Sequence, residues 1–205
     1  MNGTTSSAPQ SRGPADHTVR DQIVEAAREH FSRYGYEKTT VSDLAKSIGF
    51  SKAYIYKFFD SKQAIGEAIC AKTLSGIVAT VEEAVAGATT PTEKFRKMFN
   101  ILVKTSVSLH FNDRKLYDIA AHAAGEQWPS VRAHCDRIKQ IVTEIVREGR
   151  ESGEFERKTP LDETVQAIDL VVQPYVNPLL LQYNLDVAEE APVQLSNLVL
   201  RSLAP

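Results

Sequence analysis

The chain has 205 residues, 42% of them hydrophobic and 24% charged, proportions typical of a globular protein with one large domain or two smaller ones. No run approaches the roughly 20 uncharged apolar residues that span a bilayer, so we expect no membrane segment and a cytoplasmic location. Two cysteines are too few for a disulfide framework. We therefore expect Cys70 and Cys135 to be buried, reduced thiols, with a redox switch as the alternative.

The formal net charge of −2 hides an asymmetry along the chain. Residues 17–63 hold eight Lys and Arg against six Asp and Glu, a balance of +2, whereas residues 64–205 hold 15 against 19, a balance of −4. A partner with negative charge would therefore meet the first of these segments. Ahead of both, residues 1–16 are rich in Ser, Thr, Gly and Pro and have no apolar run of the signal-peptide type, which predicts a disordered arm.

Helical periodicity dominates and strand alternation is absent, which predicts an all-α fold. After a first helix that ends before Gly35, two short helices are predicted, separated by a tight turn at Gly49 and capped by Thr40 and Ser51. The inward face of the second consists of Ile55, Phe58 and Phe59. Its outward side chains are Lys52, Ala53, Tyr54, Tyr56 and Lys57. An exposed basic and phenolic helix after a tight turn suits insertion into a DNA major groove.

Six further helices are predicted, which makes nine in all. Their expected starts or spans are the capping pattern at Asp60-Ser61-Lys62-Gln63, Thr90-Pro91, about 113–125, Pro129, Thr159-Pro160 through to Tyr183, and Pro192 to about Leu203. We expect a break or bend near Gly76 and a kink at Pro174 and Pro178. The chain then divides into a helix-turn-helix domain at 17–63 and a ligand-binding and dimerisation domain at 64–205.

Several motifs fall between Val19 and Ile69. They are Thr39-Thr40-Val41, Asp43-Leu44-Ala45, Gly49-Phe50-Ser51, Tyr54-Ile55-Tyr56, and Phe58-Phe59 followed by Ser61-Lys62. With them the segment resembles the DNA-binding domain of the TetR (TetR/AcrR) family of transcriptional regulators. The resemblance implies a homodimer, DNA binding by the first three helices, and a pocket in the larger C-terminal domain whose small-molecule ligand releases the operator. It covers about a quarter of the chain, and the later helices match only in number and order.

The resemblance also implies contacts with the DNA backbone. Thr40 and Ser42 correspond to anchors whose hydroxyls and amides meet phosphate. Lys62 corresponds to a phosphate clamp at the start of the fourth helix. Phe58 departs from the family pattern, since many members carry His there, and this removes one polar backbone contact.

Base contacts are implied for the second short helix. Lys52 and Ala53 correspond to the positions that reach base edges, where a lysine donates to guanine O6 or N7 and an alanine methyl packs on a thymine methyl. Tyr54, Tyr56 and Lys57 correspond to a mixture of base-edge and phosphate contacts. For Tyr54, simple packing across the turn is the alternative.

The second domain contains aromatic residues that could line a cavity for a mostly apolar or aromatic effector. They are Phe95, Phe99, Tyr117, Trp128 and Tyr175. At such helical spacing, aromatic residues more often belong to a plain hydrophobic core, which is the alternative.

Asp169 falls on the apolar side of its helix, where burying an unpaired carboxylate is costly. A ligand cation, an arginine of a dimer partner or a local hydrogen bond would each satisfy it. The kink expected at Pro174 places Gln173 and Tyr175 in a pocket wall. Alternatively, it marks a helix break near a dimer interface.

No metal, cofactor or catalytic site is predicted. His110, His122 and His134 recur every 12 residues without the tight pairing of a zinc site, and no catalytic constellation indicates an enzyme. We predict a ligand-responsive repressor that binds a palindromic operator as a homodimer formed through about 161–183 and 191–203. A constitutive, architectural DNA-binding protein without ligand and a helical enzyme or carrier are the alternatives.

Overall fold

A computed structural model describes residues 14–205, and within that range the chain forms ten helices and no strand. They are α1 Pro14–Tyr34, α2 Val41–Ser47, α3 Lys52–Ile55, α4 Lys62–Ala86, α5 Pro91–Asn112, α6 Arg114–Gly125, α7 Pro129–Ser152, α8 Leu161–Val176, α9 Pro178–Leu181 and α10 Ala191–Ser202. The predicted all-α fold is confirmed, with one helix more than the nine expected.

Two hydrophobic clusters hold the helices together. The first lies among α1, α2, α3 and the start of α4, where Phe31, Ile55 and Ile65 are fully buried. We call α1 to α3 the head. The second cluster lies among α4, α5, α7, α8 and α10 around Met98 and Val146. Because α4 contributes to both clusters, it joins the head to the rest of the protein.

The helix-turn-helix forms where it is predicted because its signals are local. The hydroxyl of Thr40 accepts the amide of Asp43 at 3.2 Å, and that of Ser51 accepts the amide of Tyr54 at 3.1 Å. Gly49 has φ +71°, a left-handed conformation that glycine adopts without steric cost. The chain therefore turns sharply between α2 and α3.

The later helices differ from expectation in three places. Of the break or bend expected near Gly76, the break is absent, since α4 is continuous. One glycine costs a helix only about 1 kcal/mol, and α4 packs along α5 and α7. The helix expected to reach Tyr183 breaks at Asn177, whose backbone is extended and whose side-chain oxygen caps α9 by accepting a hydrogen bond from the Leu179 amide. Pro178 is therefore the first residue of a new helix, whereas Pro174 stays inside α8.

The start of two helices also differs from expectation. Residues 1–13 of the expected arm lie outside the described residues, and α1 begins at Pro14. The Thr159-Pro160 pattern places its helix one residue early, since Pro160 is the N-cap of α8 and has no side-chain hydrogen bond to offer.

The helix α4 is apolar enough, with a mean hydropathy of 1.4 over 18 residues, to cross a membrane by length and composition alone. This corrects the expectation that no stretch of the chain comes close to that composition. One such helix is weak evidence, because the core helix of a soluble protein passes the same test. Since α4 packs against α1, α5, α6 and α7, we interpret it as the central helix of the fold.

Candidate functional site

The side of α3 that faces away from the head is basic and phenolic. Ile55 and Phe59 are buried in the head, and this fixes which side of the helix meets solvent. The exposed side chains are Lys52, Ala53, Tyr56 and Lys57. We call these four residues the reading face. Lys52 Nζ lies 5.8 Å from the centre of the Tyr56 ring, so a cation and a phenol are presented side by side.

Tyr54 is half-buried beside the reading face. Its ring packs edge-on against Phe50 and Phe58, with ring centres 5.0 and 5.4 Å away. Lys57 Nζ lies 5.6 Å from the centre of the same ring, within the range of a cation–π contact. The packing across the turn that the sequence left as an alternative is thus present, and Tyr54 supports the ammonium of Lys57.

The first turn of α2 is fixed by reciprocal hydrogen bonds. The hydroxyl and the backbone amide of Thr40 donate to the Asp43 carboxylate at 2.6 and 3.0 Å. These bonds lower the pKa of Asp43, so the carboxylate stays ionised at neutral pH. Thr40 is exposed and Ser42 half-buried at this end of the helix, where free amides favour a phosphate.

Lys62 is engaged inside the protein, which the sequence did not predict. Its ammonium donates to the backbone carbonyl of Tyr36 at 3.1 Å and lies 4.3 Å from the centre of the Tyr36 ring. A phosphate contact by Lys62 would have to share the ammonium with this carbonyl. The structure therefore gives Lys62 a role in tying α4 to the loop that precedes α2.

Trp128 lies between the head and α6, not in a cavity. Its side chain is 2% exposed, and its ring packs edge-on against Tyr36 and His122 with ring centres 5.9 and 5.6 Å away. The preceding residue, Gln127, has φ +53° and turns the chain there. This turn directs the only tryptophan of the chain toward the head, which helical periodicity could not show.

A cavity of about 430 Å³ lies among α4, α5, α6, α7 and α8. Its size is typical of sites for small organic ligands. Three of the residues predicted for ligand binding line it: Tyr117, Asp169 and Gln173. The Tyr117 hydroxyl donates to the Pro178 carbonyl at 2.6 Å, so this side chain is held in the wall by α9.

The other four predicted residues do not line the cavity, and the cavity prediction is corrected for them. Phe95 and Phe99 are buried in the second cluster, and Tyr175 packs on Phe99 with ring centres 6.4 Å apart. Trp128 belongs to the head interface. Helical spacing marks such residues as apolar, but it cannot tell a core from the neighbouring cavity.

Two expectations about single groups near the cavity also need correction. Asp169 is exposed at the cavity wall rather than buried, so its carboxylate does not bear the cost of burial. Cys70 is buried as expected, but Cys135 is exposed. Both cysteines line the cavity, as do Thr73 and His134. The sequence did not predict the cavity-lining residues of α4 and α7, because they depend on packing between helices that are far apart in the chain.

Among the described residues, no group of three or more His, Cys, Asp or Glu side chains is placed to hold a metal ion. His110 is half-enclosed by rings at 5.1 Å to Phe111 and 4.6 Å to Tyr117. His122 faces Glu37 at 3.6 Å. Each histidine of the 12-residue recurrence therefore has a separate local environment.

Two family models match the chain. The model of "Bacterial regulatory proteins, tetR family" matches residues 23–69, which hold the helix-turn-helix. The model described as "Tetracyclin repressor-like, C-terminal domain" matches residues 91–194, just over half of the chain. The chain belongs to the TetR family. Members of this family are DNA-binding transcription factors and not enzymes.

Individual relatives agree with this assignment. The chain is 45% identical over 49 residues to the biofilm operon icaADBC negative regulator IcaR of Staphylococcus aureus, a match that covers 24% of this chain and 26% of that protein. The chain thus spans about a quarter of the length of these IcaR relatives. The repressor KstR2 of Mycolicibacterium smegmatis is 25% identical over 159 residues, 77% of this chain and 74% of that protein.

Solved structures show the same fold. The regulator FadR from Bacillus subtilis, in complex with stearoyl-CoA, superimposes with a TM-score of 0.63 at 23% identity and covers 90% of this chain and 97% of that one. The architecture of this TetR-family chain, a helix-turn-helix head on a larger helical domain, is therefore shared with a ligand-bound regulator.

Proposed function

We propose that this chain is a homodimeric repressor that leaves a palindromic operator when a small, mostly apolar molecule enters the cavity between α4 and α8. The observation that carries the proposal is that α4 and α6 line the cavity and also contact the head. A ligand that moves either helix therefore changes the position of the reading face. Because the proposed partner of this protein is DNA, we place its action in the bacterial cytoplasm.

The reading face supports DNA binding. Lys52 and Lys57 are exposed and supply cations for guanine edges and phosphates. The methyl group of Ala53 lies on the same exposed helix, where it suits contact with a thymine methyl. Because α3 has only four residues, it reads a short half-site, and specificity for a longer operator requires two copies of the head.

Exposed apolar side chains on α8 and α10 support the dimer. Leu170, Val193 and Leu198 are 59%, 55% and 62% exposed, although α8 and α10 pack against each other. A second copy that packs its own two helices here would bury them in a four-helix interface. We expect a dimer at micromolar concentration in sedimentation, and a stable monomer would contradict this part of the proposal.

The coupling between cavity and head runs through α6 as well as α4. Leu116, Ile119 and Ala120 line the cavity, and Ile119 also packs in the first hydrophobic cluster. At the start of the helix, the Asp113 carboxylate accepts the hydroxyl of Ser32 at 2.8 Å. To release DNA, the ligand must bind the DNA-free arrangement more tightly than the DNA-bound one. Such a difference in binding free energy is typically about 1–3 kcal/mol.

Two observations support a lipophilic effector: the residues that line the cavity and the ligand of a related regulator. Leucine, isoleucine and valine side chains dominate the wall, including Leu74, Leu102 and Val172. The FadR relative holds stearoyl-CoA, a molecule with a long apolar chain. A ligand of this kind would gain about 25 cal/mol for each Å² of apolar surface removed from water.

Selection from random duplexes tests the DNA half of the proposal. We expect the purified full chain to enrich a two-fold symmetric sequence whose half-sites are about one helical turn or somewhat more apart. An asymmetric motif, or no enriched motif at any salt concentration, would contradict it. Enrichment with no release by any apolar compound would favour a constitutive DNA-binding protein instead.

A further inference from the structure

We propose that the effector of this cavity is an amphipathic organic cation, with an apolar body between α4 and α6 and an amine-type head group against the Asp136 and Asp169 carboxylates. The inference rests on the proposed effector site and adds the charge class of the ligand. It follows from the charged groups of the wall, of which the two carboxylates are unpaired and the one guanidinium is engaged.

Two carboxylates on facing helices border the cavity. Asp136 is on α7 and Asp169 on α8, and both lie in the wall and are exposed. Over residues 14–205, neither carboxylate accepts a hydrogen bond or forms an ion pair. Both lie close enough to Cys135 that, after desolvation of the thiol, their negative charges raise the pKa of Cys135 further. Both carboxylates therefore border the part of the cavity wall that holds Cys135.

A third polar group belongs to the same wall. His134 lines the cavity, and its Nδ1 is shielded from solvent without a hydrogen-bond partner. Burial lowers the pKa of His134, so the ring is neutral at pH 7. His134 therefore adds no positive charge to the wall.

The cavity wall contains little positive charge, and that charge already takes part in a hydrogen bond within the protein. Among the cavity-lining residues that the structure describes, Arg132 is the one permanent cation, and its guanidinium donates to the backbone carbonyl of Gln127. Lys139 borders Asp169 in a small adjoining groove but lies beyond ion-pair distance. The wall thus holds two unpaired carboxylates against one cation that is already engaged, which favours a ligand that brings positive charge.

Three probes that differ only in their head group separate this inference from the proposed function. We would titrate octylammonium, octanol and octanoate at pH 7 into the full chain without DNA and follow heat release. The expected order is octylammonium tightest, by about tenfold over octanol, because each partly solvated carboxylate contributes a modest attraction. In the Asp136→Asn/Asp169→Asn variant this advantage disappears, while octanol binds as before.

The matched control is Asp186→Asn, which removes an exposed carboxylate outside the wall and should leave all three affinities unchanged. Equal or tighter binding of octanol or octanoate would overturn the cation inference and leave the apolar effector site standing. The same holds if the double variant keeps its preference for octylammonium. Binding of none of the three would contradict the effector site itself, and the inference with it.

Discussion

Gly66 and Trp128 touch where the head meets the rest of the protein. A Cβ on Gly66 would lie 3.0 Å from Cη2 of Trp128 and 3.0 Å from Cε2 of Tyr36. This close approach lets α4 pass directly beneath the two rings. The contact links the helix that lines the cavity to the loop that leads into the helix-turn-helix.

The change Gly66→Ala should destabilise the protein in spite of the better helix propensity of alanine. Overpacking costs about 1–3 kcal/mol, which exceeds the gain of about 0.5–1 kcal/mol from replacing a helical glycine. We expect a net loss of about 1 kcal/mol in the free energy of unfolding, measured by urea denaturation. Gly76→Ala is the matched control on the same helix, because the space around Gly76 is open. It should stabilise, and equal effects at the two sites would contradict the contact.

Gly149 lies even closer to a neighbouring ring than Gly66 does, and we expect its replacement to cost more stability. A Cβ on Gly149 would lie 2.0 Å from Cδ2 of Phe155, whose ring is buried in the second cluster. Gly149→Ala should therefore cost about 3 kcal/mol or more, since the ring must leave its place. In a double-mutant cycle with Phe155→Ala, the alanine at 149 should cost much less than in the native background. Additive losses would show that the ring does not lie on this glycine.

Replacing Lys62 should affect folding as well as DNA binding. Because its ammonium bonds to the Tyr36 carbonyl, Lys62→Ala should lower the free energy of unfolding by about 1 kcal/mol. Lys57→Ala serves as the comparison, since Lys57 is exposed and should weaken DNA binding with little change in stability. A native stability for Lys62→Ala together with a flatter salt dependence of DNA binding would restore the phosphate-clamp role.

We expect the Glu93 carboxylate to stabilise the folded protein at neutral pH and to lose this effect in acid. Hydrogen bonds from Lys97 and then from Thr89 lower the pKa of Glu93 to about 2. The folded state thus favours the carboxylate, so its contribution is complete above the ordinary pKa of 4.5 and is lost as pH falls toward 2. Glu93→Gln should be less stable than the native chain at pH 7, with the difference shrinking below pH 4.5 in urea melts. A difference that is the same at pH 7 and pH 3 would contradict the pKa shift.

How much could be predicted from the sequence depended on whether the signal was local. Thr40, Gly49 and Ser51 act on residues three or four positions away, and the helix-turn-helix was therefore predicted correctly, down to its caps and its left-handed turn. The inward face of α3 followed from the same short pattern, since Ile55 and Phe59 are buried.

The cavity could be predicted only in part, because it is made by helices far apart in sequence. Tyr117, Asp169 and Gln173 were identified, but the lining of α4, including Cys70 and Leu74, was not. Periodicity shows that a side chain is apolar and on one face of a helix. Whether that face meets a core, a cavity or another domain depends on packing between helices, which no local pattern contains.

Recognition of a DNA sequence by the reading face of α3 can be tested by the affinity of Lys52→Ala for two duplexes. Fluorescence anisotropy would compare the enriched site with a random duplex of equal length at one salt concentration. We expect Lys52→Ala to lose about 1–3 kcal/mol of binding free energy on the enriched site and much less on the random duplex, because a base contact carries specificity. An equal loss on both duplexes, or no loss on either, would contradict the claim.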